Sequence, residues 1–131
     1  MCVFCRIVSG QLPAAKIIET EKVLVFLDNA PVNYGHLLVI PKQHVSTLEE
    51  INAALLQEVI VKVKEGGALL KNKLGYVGYN VVLNNDPIAG QEVPHLHWHI
   101  IPRVLGDTPL RFPEKKYGPG EMAAIAEKLT S

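Results

Sequence analysis

The chain has 131 residues, a length typical of a single domain with its own apolar core. Thirteen Lys and Arg balance thirteen Asp and Glu, and 48% of the residues are hydrophobic. This composition argues against a disordered chain and against a surface for long nucleic acids. The longest apolar runs, such as 23–27 and 37–40, are far shorter than the roughly 18 residues of a membrane helix, and the N-terminus lacks a secretion-signal pattern. We therefore predict a cytoplasmic protein without membrane or nucleic-acid partners.

A short helix and three strands are predicted for the first part of the chain. Residues 4–8 have the apolar pattern of about two helical turns. The runs at 16–19 and 23–28 are rich in β-branched and aromatic residues and indicate a hairpin. The apolar run at 36–40 ends at a proline and predicts a third strand.

A long helix, two strands and a final helix follow. Between residues 48 and 74 apolar side chains recur at spacings of three and four, which predicts one amphipathic helix. Gly66 and Gly67 inside this pattern allow a bend or an irregular turn there. The remaining predictions are strands at 79–84 and 95–104 and a helix at 119–129. Together these elements predict an α+β fold on a mainly antiparallel sheet, whose free edges favour a two-fold homodimer.

Three histidines alternate with apolar residues in the last predicted strand. Because side chains alternate across a strand, His95, His97 and His99 share one face, about 6.6 Å apart. Burying three imidazoles would require three sets of hydrogen-bond partners, so a row facing a cleft is favoured. The outer two lie about 13 Å apart, too far for one ion. The pattern therefore favours a nucleophilic or acid–base imidazole in the middle position.

Two further features each allow two interpretations. The loop at 84–91 offers backbone N–H groups near Gly90 and Gln91 to a phosphate, or it is an ordinary turn. Cys2 and Cys5 form a metal clamp or redox pair, or they belong to a frayed terminus.

The histidine segment at 90–101, GQEVPHLHWHII, resembles the signature of the histidine triad (HIT) family. The segments FLD at 26–28 and GHLLVIPKQH at 35–44 agree with that family in order and spacing. The resemblance is greatest to the prokaryotic Hint-like branch and implies one domain over 1–131, with a variable C-terminal segment at about 105–131. It implies a five-stranded antiparallel sheet with one long helix and short terminal helices, pairing into a ten-stranded sheet in a homodimer.

The resemblance also implies an activity and its residues. Members hydrolyse or transfer nucleoside monophosphate groups, so the expected substrates are purine nucleotides such as AMP derivatives, cleaved at the α-phosphate in the manner of a nucleoside 5'-phosphoramidase. His97 matches the nucleophile that forms a nucleotidyl-histidine, with His99 and His36 as its catalytic neighbours and no catalytic metal. For His36, which matches a position behind the nucleophile, a packing or capping role is an equal alternative. The matching nucleotide-binding positions are Ile7, Phe26, Asp28, Asn84, Gln91, Glu92, His97 and His99. For Ile7 and Phe26, ordinary core packing is an equal alternative.

A structural zinc site is implied by four further matches. Cys2, Cys5, His44 and His95 occupy positions that hold zinc in some prokaryotic members. Two thiolates and two imidazoles suit tetrahedral zinc. This assignment gives His95 to the metal and leaves His97 and His99 for the phosphate.

Two departures from the family pattern leave the substrate open. Residues 101–103 read IPR where the best-known Hint proteins have Gly-Gly-Arg, which is closer to the branch that cleaves dinucleoside polyphosphates. Glu92 stands where many eukaryotic members have Ser or Thr, and its carboxylate would disfavour an extra phosphate and favour an amine leaving group. The alternatives are therefore a dinucleoside polyphosphate hydrolase and a non-catalytic nucleotide-binding interaction protein.

Overall fold

Five strands form one sheet in the order β1-β2-β3-β5-β4, and each neighbouring pair is antiparallel. The computed structural model describes residues 1–108 and 110–131. The strands are β1 (Lys16–Glu19), β2 (Val23–Leu27), β3 (Leu37–Pro41), β4 (Gly78–Leu83) and β5 (Trp98–Arg103). The helices are α1 (Val3–Val8), α2 (Ala53–Leu74) and α3 (Glu121–Thr130), with one 3-10 turn at Pro87–Ala89. The predicted α+β class with a five-stranded sheet is confirmed.

The two faces of the sheet are covered by different helices. Helix α2 is capped by Asn52, whose side chain accepts the Leu55 N–H at 2.9 Å. Its apolar stripe packs on one face, against side chains that include Val25 and Trp98. On the other face a smaller cluster packs around α1: Phe4, Ile7, Leu24, Phe26, Leu38 and Ile40. His99 lies on this second face, because it is paired with Leu38 across the β3–β5 ladder. The rings of His95 and His97 lie on the same side, since both pack against Phe4.

Helix α2 runs through its two glycines without the irregular turn that they would allow. Gly66 and Gly67 are both buried within the continuous helix. A Cβ at Gly66 would lie 2.7 Å from Ile100 Cδ1, and one at Gly67 would overlap the Tyr79 ring. The glycines therefore permit close approach of the helix to β5 and β4.

Strand β5 begins three residues later than predicted, at Trp98 rather than His95. Before it, the His95 N–H donates to the Val93 carbonyl at 2.8 Å, and the Leu96 N–H to the Val45 carbonyl at 2.8 Å. Leu96 still packs in the α2-side core with Trp98. His95 and His97 thus lie in an irregular segment whose atoms can form hydrogen bonds outside a ladder.

The C-terminal segment makes few contacts with the sheet. At its start, Asn33 Nδ2 donates to the Pro102 carbonyl at 2.7 Å and to Asp107 Oδ2 at 2.9 Å. Helix α3 has no buried residue, and its Met122, Ile125 and Leu129 are exposed. Within the described part of the chain, no helix has both the length and the apolar character needed to cross a membrane.

We predict that Gly66→Ala destabilises the protein although alanine is the better helix former by about 1 kcal/mol. Ile100 is fully buried, so its Cδ1 cannot move away from the new Cβ. Overpacking of this kind costs about 1–3 kcal/mol. Urea unfolding measures the loss, and Ile100→Val, which removes the contacting atom, should make the same substitution less harmful. A stabilised Gly66→Ala protein would contradict the close approach of α2 to β5.

Candidate active site

The His97 ring is held by its own chain segment. Its Nδ1 lies 2.7 Å from the His95 carbonyl oxygen, so Nδ1–H is the donor and Nε2 carries the lone pair. The side chain is only 5% exposed. Every fully buried side-chain nitrogen or oxygen of the described residues has a hydrogen-bond partner. His97 Nε2 has none among these residues, so this atom is not fully buried. Solvent therefore reaches this nitrogen, which is the one a nucleophile requires.

His99 has the opposite tautomer. The Val32 N–H donates to His36 Nδ1 at 3.1 Å, which places the proton of that ring on Nε2. His36 Nε2 then donates to His99 Nδ1 at 3.0 Å. His99 therefore carries its own proton on Nε2. His97 and His99, with ring centroids 5.0 Å apart, offer a lone pair and an N–H donor side by side.

The imidazole rings of His99 and His36 are neutral near pH 7. Burial, with smaller contributions from the neighbouring His97 and His36, lowers the pKa of His99 to about 4, although the Asp28 carboxylate opposes this change. Burial also lowers the pKa of His36, although the Asp28 carboxylate opposes this change. Asp28 Oδ2 lies 3.7 Å from His36 Nε2. The donor tautomer of His99 is consequently the neutral one.

A pocket of about 620 Å³ lies on the α1 side of the sheet. None of the described histidines lines it, but two of its lining residues contact the histidines, since Phe4 packs against His97 and Asp28 lies 3.7 Å from His36. The pocket brings together four of the predicted nucleotide-binding residues: Ile7, Phe26, Asp28 and Glu92. Its walls are mostly apolar. Asp28 supplies a carboxylate, one oxygen of which accepts the Ala30 N–H at 2.9 Å. The pocket thus combines apolar walls with a carboxylate acceptor, which suits a ligand that has both an apolar ring and hydroxyl groups.

Phe4 is a site residue that the sequence analysis did not single out. Its ring lines the pocket and stands edge-on to Phe26, at 5.6 Å between centroids. It also stands edge-on to His97 at 5.1 Å and to His95 at 5.8 Å. An apolar residue in a short terminal helix has no local signal for such a position, because the contacts come from distant parts of the chain.

Gln91 is committed to the loop rather than free for a ligand. Its Nε2 donates to the Ser46 and Val93 carbonyls at 2.6 and 3.1 Å. Its Oε1 accepts the N–H of Asp86 at 2.8 Å. Asp86 has φ +78°, an unfavourable conformation for a non-glycine residue, and this bond helps to hold it. Gln91 therefore positions the loop before the histidines.

The expected backbone cradle at this loop is also engaged internally. The Gly90 N–H donates to the Pro87 carbonyl at 3.0 Å, and the Gln91 N–H donates to the Asp86 carbonyl at 3.2 Å. The 3-10 turn uses these groups, so they are not open to a phosphate as predicted. Asn84 lies beside Gly90, 3.8 Å from where a Cβ would stand.

The four predicted metal ligands meet at one point. The six distances among Cys2 Sγ, Cys5 Sγ, His44 Nδ1 and His95 Nδ1 lie between 3.2 and 3.6 Å. Tetrahedral zinc with bonds of about 2.0–2.3 Å requires ligand atoms separated by roughly 3.3–3.8 Å. His95 Nε2 donates to the Pro41 carbonyl at 2.8 Å, which leaves its Nδ1 lone pair facing the other three. The arrangement fits a zinc ion.

A second cluster, Asp28, His36 and His99, has ligand-type atoms within 4.8 Å of one another. Its imidazole lone pairs are already used, because His36 Nδ1 accepts the Val32 N–H and His99 Nδ1 accepts from His36. This cluster is therefore a hydrogen-bond relay, not a second metal site.

An antiparallel five-stranded sheet with hydrogen-bonded histidines beside an apolar pocket defines the class of the protein, and the comparisons agree with it. The HIT domain model matches residues 9–105. An uncharacterised HIT-like protein of Methanocaldococcus jannaschii is 50% identical over 82% of each chain. An adenosine 5'-monophosphoramidase of Schizosaccharomyces pombe is 38% identical over 99% of this chain and 96% of its own. The crystal structure of a HIT family member from Bacillus subtilis has a TM-score of 0.88 and 34% identity, over 98% of this chain and 94% of its own. The chain belongs to the HIT family.

We predict that NMR titration of His99 gives a midpoint near pH 4 and the Nε2-protonated tautomer. Unfolded His99 takes up a proton near pH 6.5, so acidification from about 6.5 to 4 favours the unfolded state and lowers stability. Long-range ¹H–¹⁵N spectra report both properties. His36→Phe removes the donor to Nδ1 and should abolish the tautomer preference. A His99 midpoint near 6.5 would contradict the buried relay.

Proposed function

We propose that this protein is a nucleotide hydrolase that cleaves nucleoside 5'-phosphoramidates and related AMP derivatives through a nucleotidyl intermediate on His97. The observation that carries the proposal is the His97 tautomer: Nδ1–H is bonded at 2.7 Å and Nε2 is free. The full-length similarity to an adenosine 5'-monophosphoramidase supports the reaction class.

The chemistry requires two displacements at phosphorus. The His97 Nε2 lone pair attacks the α-phosphorus, a P–N bond to the ring forms, and the bond to the leaving amine breaks as that amine takes a proton from solvent. Water then attacks the same phosphorus and loses a proton to solvent, the bond to His97 breaks with its electron pair returning to Nε2, and nucleoside monophosphate leaves. The neutral Nε2–H of His99 donates a hydrogen bond to the phosphate oxygens as charge develops.

The pocket orients the nucleoside for this attack. Phe4, Ile7 and Phe26 supply apolar walls for a purine, and Asp28 supplies an acceptor for ribose hydroxyls. Glu92 at the rim places a carboxylate where an additional phosphate would be repelled. We expect this charge to favour an uncharged or amine leaving group.

The polyphosphate alternative is less well supported by the structure. Its sequence argument rested on the Pro-Arg after the histidines. The Arg103 guanidinium instead contacts Asp107, with Nε 3.2 Å from Oδ2, and the Thr108 carbonyl. These contacts tie down the C-terminal segment and leave that cation engaged rather than free to grip a phosphate chain.

We also propose that Cys2, Cys5, His44 and His95 hold one structural zinc ion. Without a cation, burial and the neighbouring Cys2 raise the pKa of the Cys5 thiol, so the cluster disfavours two thiolates side by side. Zinc would stabilise both thiolates and link α1 to the segment that carries His95. No catalytic step involves this ion.

A two-fold homodimer is the third part of the proposal. Strand β4 pairs only with β5 among the described strands, so its outer edge is available for a second copy and a ten-stranded sheet. Helix α3 adds an unburied apolar side formed by Met122, Ile125 and Leu129. Both surfaces favour association.

We predict that His97→Ala lowers kcat/KM for adenosine phosphoramidate by several orders of magnitude while leaving the protein folded. Mass spectrometry of quenched wild-type reactions should find AMP attached to the peptide that contains His97. His99→Gln keeps the nucleophile and should still form the adduct, more slowly. Undiminished turnover by His97→Ala, or an adduct on another residue, would contradict the assignment, and AMP binding without any turnover would indicate an interaction protein.

We predict about one zinc ion per chain in protein purified without chelators, measured by elemental analysis. Cys5→Ser should lose the zinc because it removes one of the four donors. His36→Phe is the matched control, since it alters the other histidine cluster and should retain the metal. Zinc-free wild-type protein, or zinc retained by Cys5→Ser, would contradict the site.

A further inference from the structure

Helix α1 stands between the metal cluster and the nucleotide pocket. Its N-cap is Cys2, whose Sγ accepts the Cys5 N–H at 3.3 Å. Both cysteines turn their sulfur atoms toward His44 and His95. The side chains between and after them line the pocket: Val3, Phe4 and Ile7. One six-residue helix therefore belongs to two sites.

A helix of this length has little stability of its own. Forming an isolated helix of fewer than about 12 residues is unfavourable in water, so α1 depends on what it packs against. Its apolar anchors are Phe4 and Ile7, which are buried against the smaller core cluster. The cysteines also link it to distant parts of the chain: Cys5 approaches histidines 39 and 90 positions away, and Cys2 approaches the same two histidines 42 and 93 positions away.

Phe4 connects the two sites physically. It lies between the two cysteines in sequence, and its ring contacts His95 of the metal cluster and His97 of the reactive pair. The same ring packs edge-on against Phe26 in the pocket wall. A shift of α1 would thus move Phe4, and with it both the pocket wall that would face the base and the contact with His97.

We propose that α1 couples zinc binding to nucleotide binding, with Phe4 as the positioning residue. This inference rests on the proposed zinc site and nucleotide pocket. When all four donors hold a metal ion, α1 is fixed in the arrangement that forms the pocket wall, so a nucleotide no longer has to order it. Binding free energies are reciprocal, so nucleotide raises the affinity for zinc by the same factor.

The sign and approximate size of the effect follow from this arrangement. Coupling between sites typically changes affinity by about 5–150-fold. We expect a change within this range for AMP, whose base would contact the α1 wall. Ribose 5-phosphate has the same sugar and phosphate but no base, so its affinity should depend much less on zinc. The coupling therefore acts on the base-binding half of the pocket.

The experiment measures binding in both directions on the full chain. Calorimetry gives the AMP dissociation constant for zinc-loaded and chelator-treated protein, with ribose 5-phosphate as the baseless control. Competition with a chelator of known affinity gives the zinc dissociation constant with and without saturating AMP, and starts from folded, zinc-loaded protein. We expect AMP to bind at least fivefold more weakly without zinc, and zinc to bind more tightly with AMP by the same factor.

Two variants of α1 test the path of the coupling. Phe4→Leu keeps an apolar anchor but removes the ring, and should retain zinc while reducing the coupling factor. Arg6→Gln changes an exposed residue of the same helix and should leave the factor unchanged. If zinc and AMP both bind but neither alters the affinity for the other, the coupling is wrong while both sites stand. If the protein binds no zinc, the metal site and the coupling are both wrong. If it binds no AMP, the nucleotide pocket of the proposed function and the coupling are both wrong.

Discussion

The hydrogen bond from His97 Nδ1–H to the His95 carbonyl, at 2.7 Å, is the constraint on which the proposed chemistry of this protein depends. It determines which nitrogen of His97 keeps a lone pair. It also joins this imidazole to the backbone of a residue whose own side chain faces Cys2, Cys5 and His44. This bond forms because β5 begins only at Trp98, which leaves the preceding segment outside the ladder. In an uninterrupted strand from His95, that carbonyl would accept a hydrogen bond from a neighbouring strand instead.

The second constraint is the relay from the Val32 N–H through His36 to His99. It gives His99 the opposite tautomer, and burial keeps that ring neutral by holding its pKa at about 4. Two like residues on one face of a segment thus acquire different chemical properties. One keeps a lone pair on Nε2 and the other carries a proton on Nε2. Neither property belongs to the residue type alone, because each is set by a partner on another element.

Several features of the fold were accessible to sequence reasoning because they depend on local patterns. The β-branched runs predicted the strands, and the three-and-four spacing predicted α2. The features that sequence reasoning did not predict depend on neighbours that are distant in sequence. The glycines of α2 allow close packing on Ile100 and Tyr79. The loop N–H groups and the Gln91 amide, placed by sequence near a phosphate, form hydrogen bonds that build the loop itself. Phe4 was missed for the same reason.

The amino-acid sequence by itself determined the α+β class, the shared face of the three histidines and the donor types suited to zinc, because alternation and residue chemistry are local properties. Only the tertiary structure decided which atoms carry protons and lone pairs, and that four donors between positions 2 and 95 meet within 3.6 Å of one another. Tautomers and ligand distances are set by partners from separate elements, such as the Val32 N–H and the Pro41 carbonyl. Such partners are brought together by the packing of the whole sheet, and spacing along the chain does not specify them.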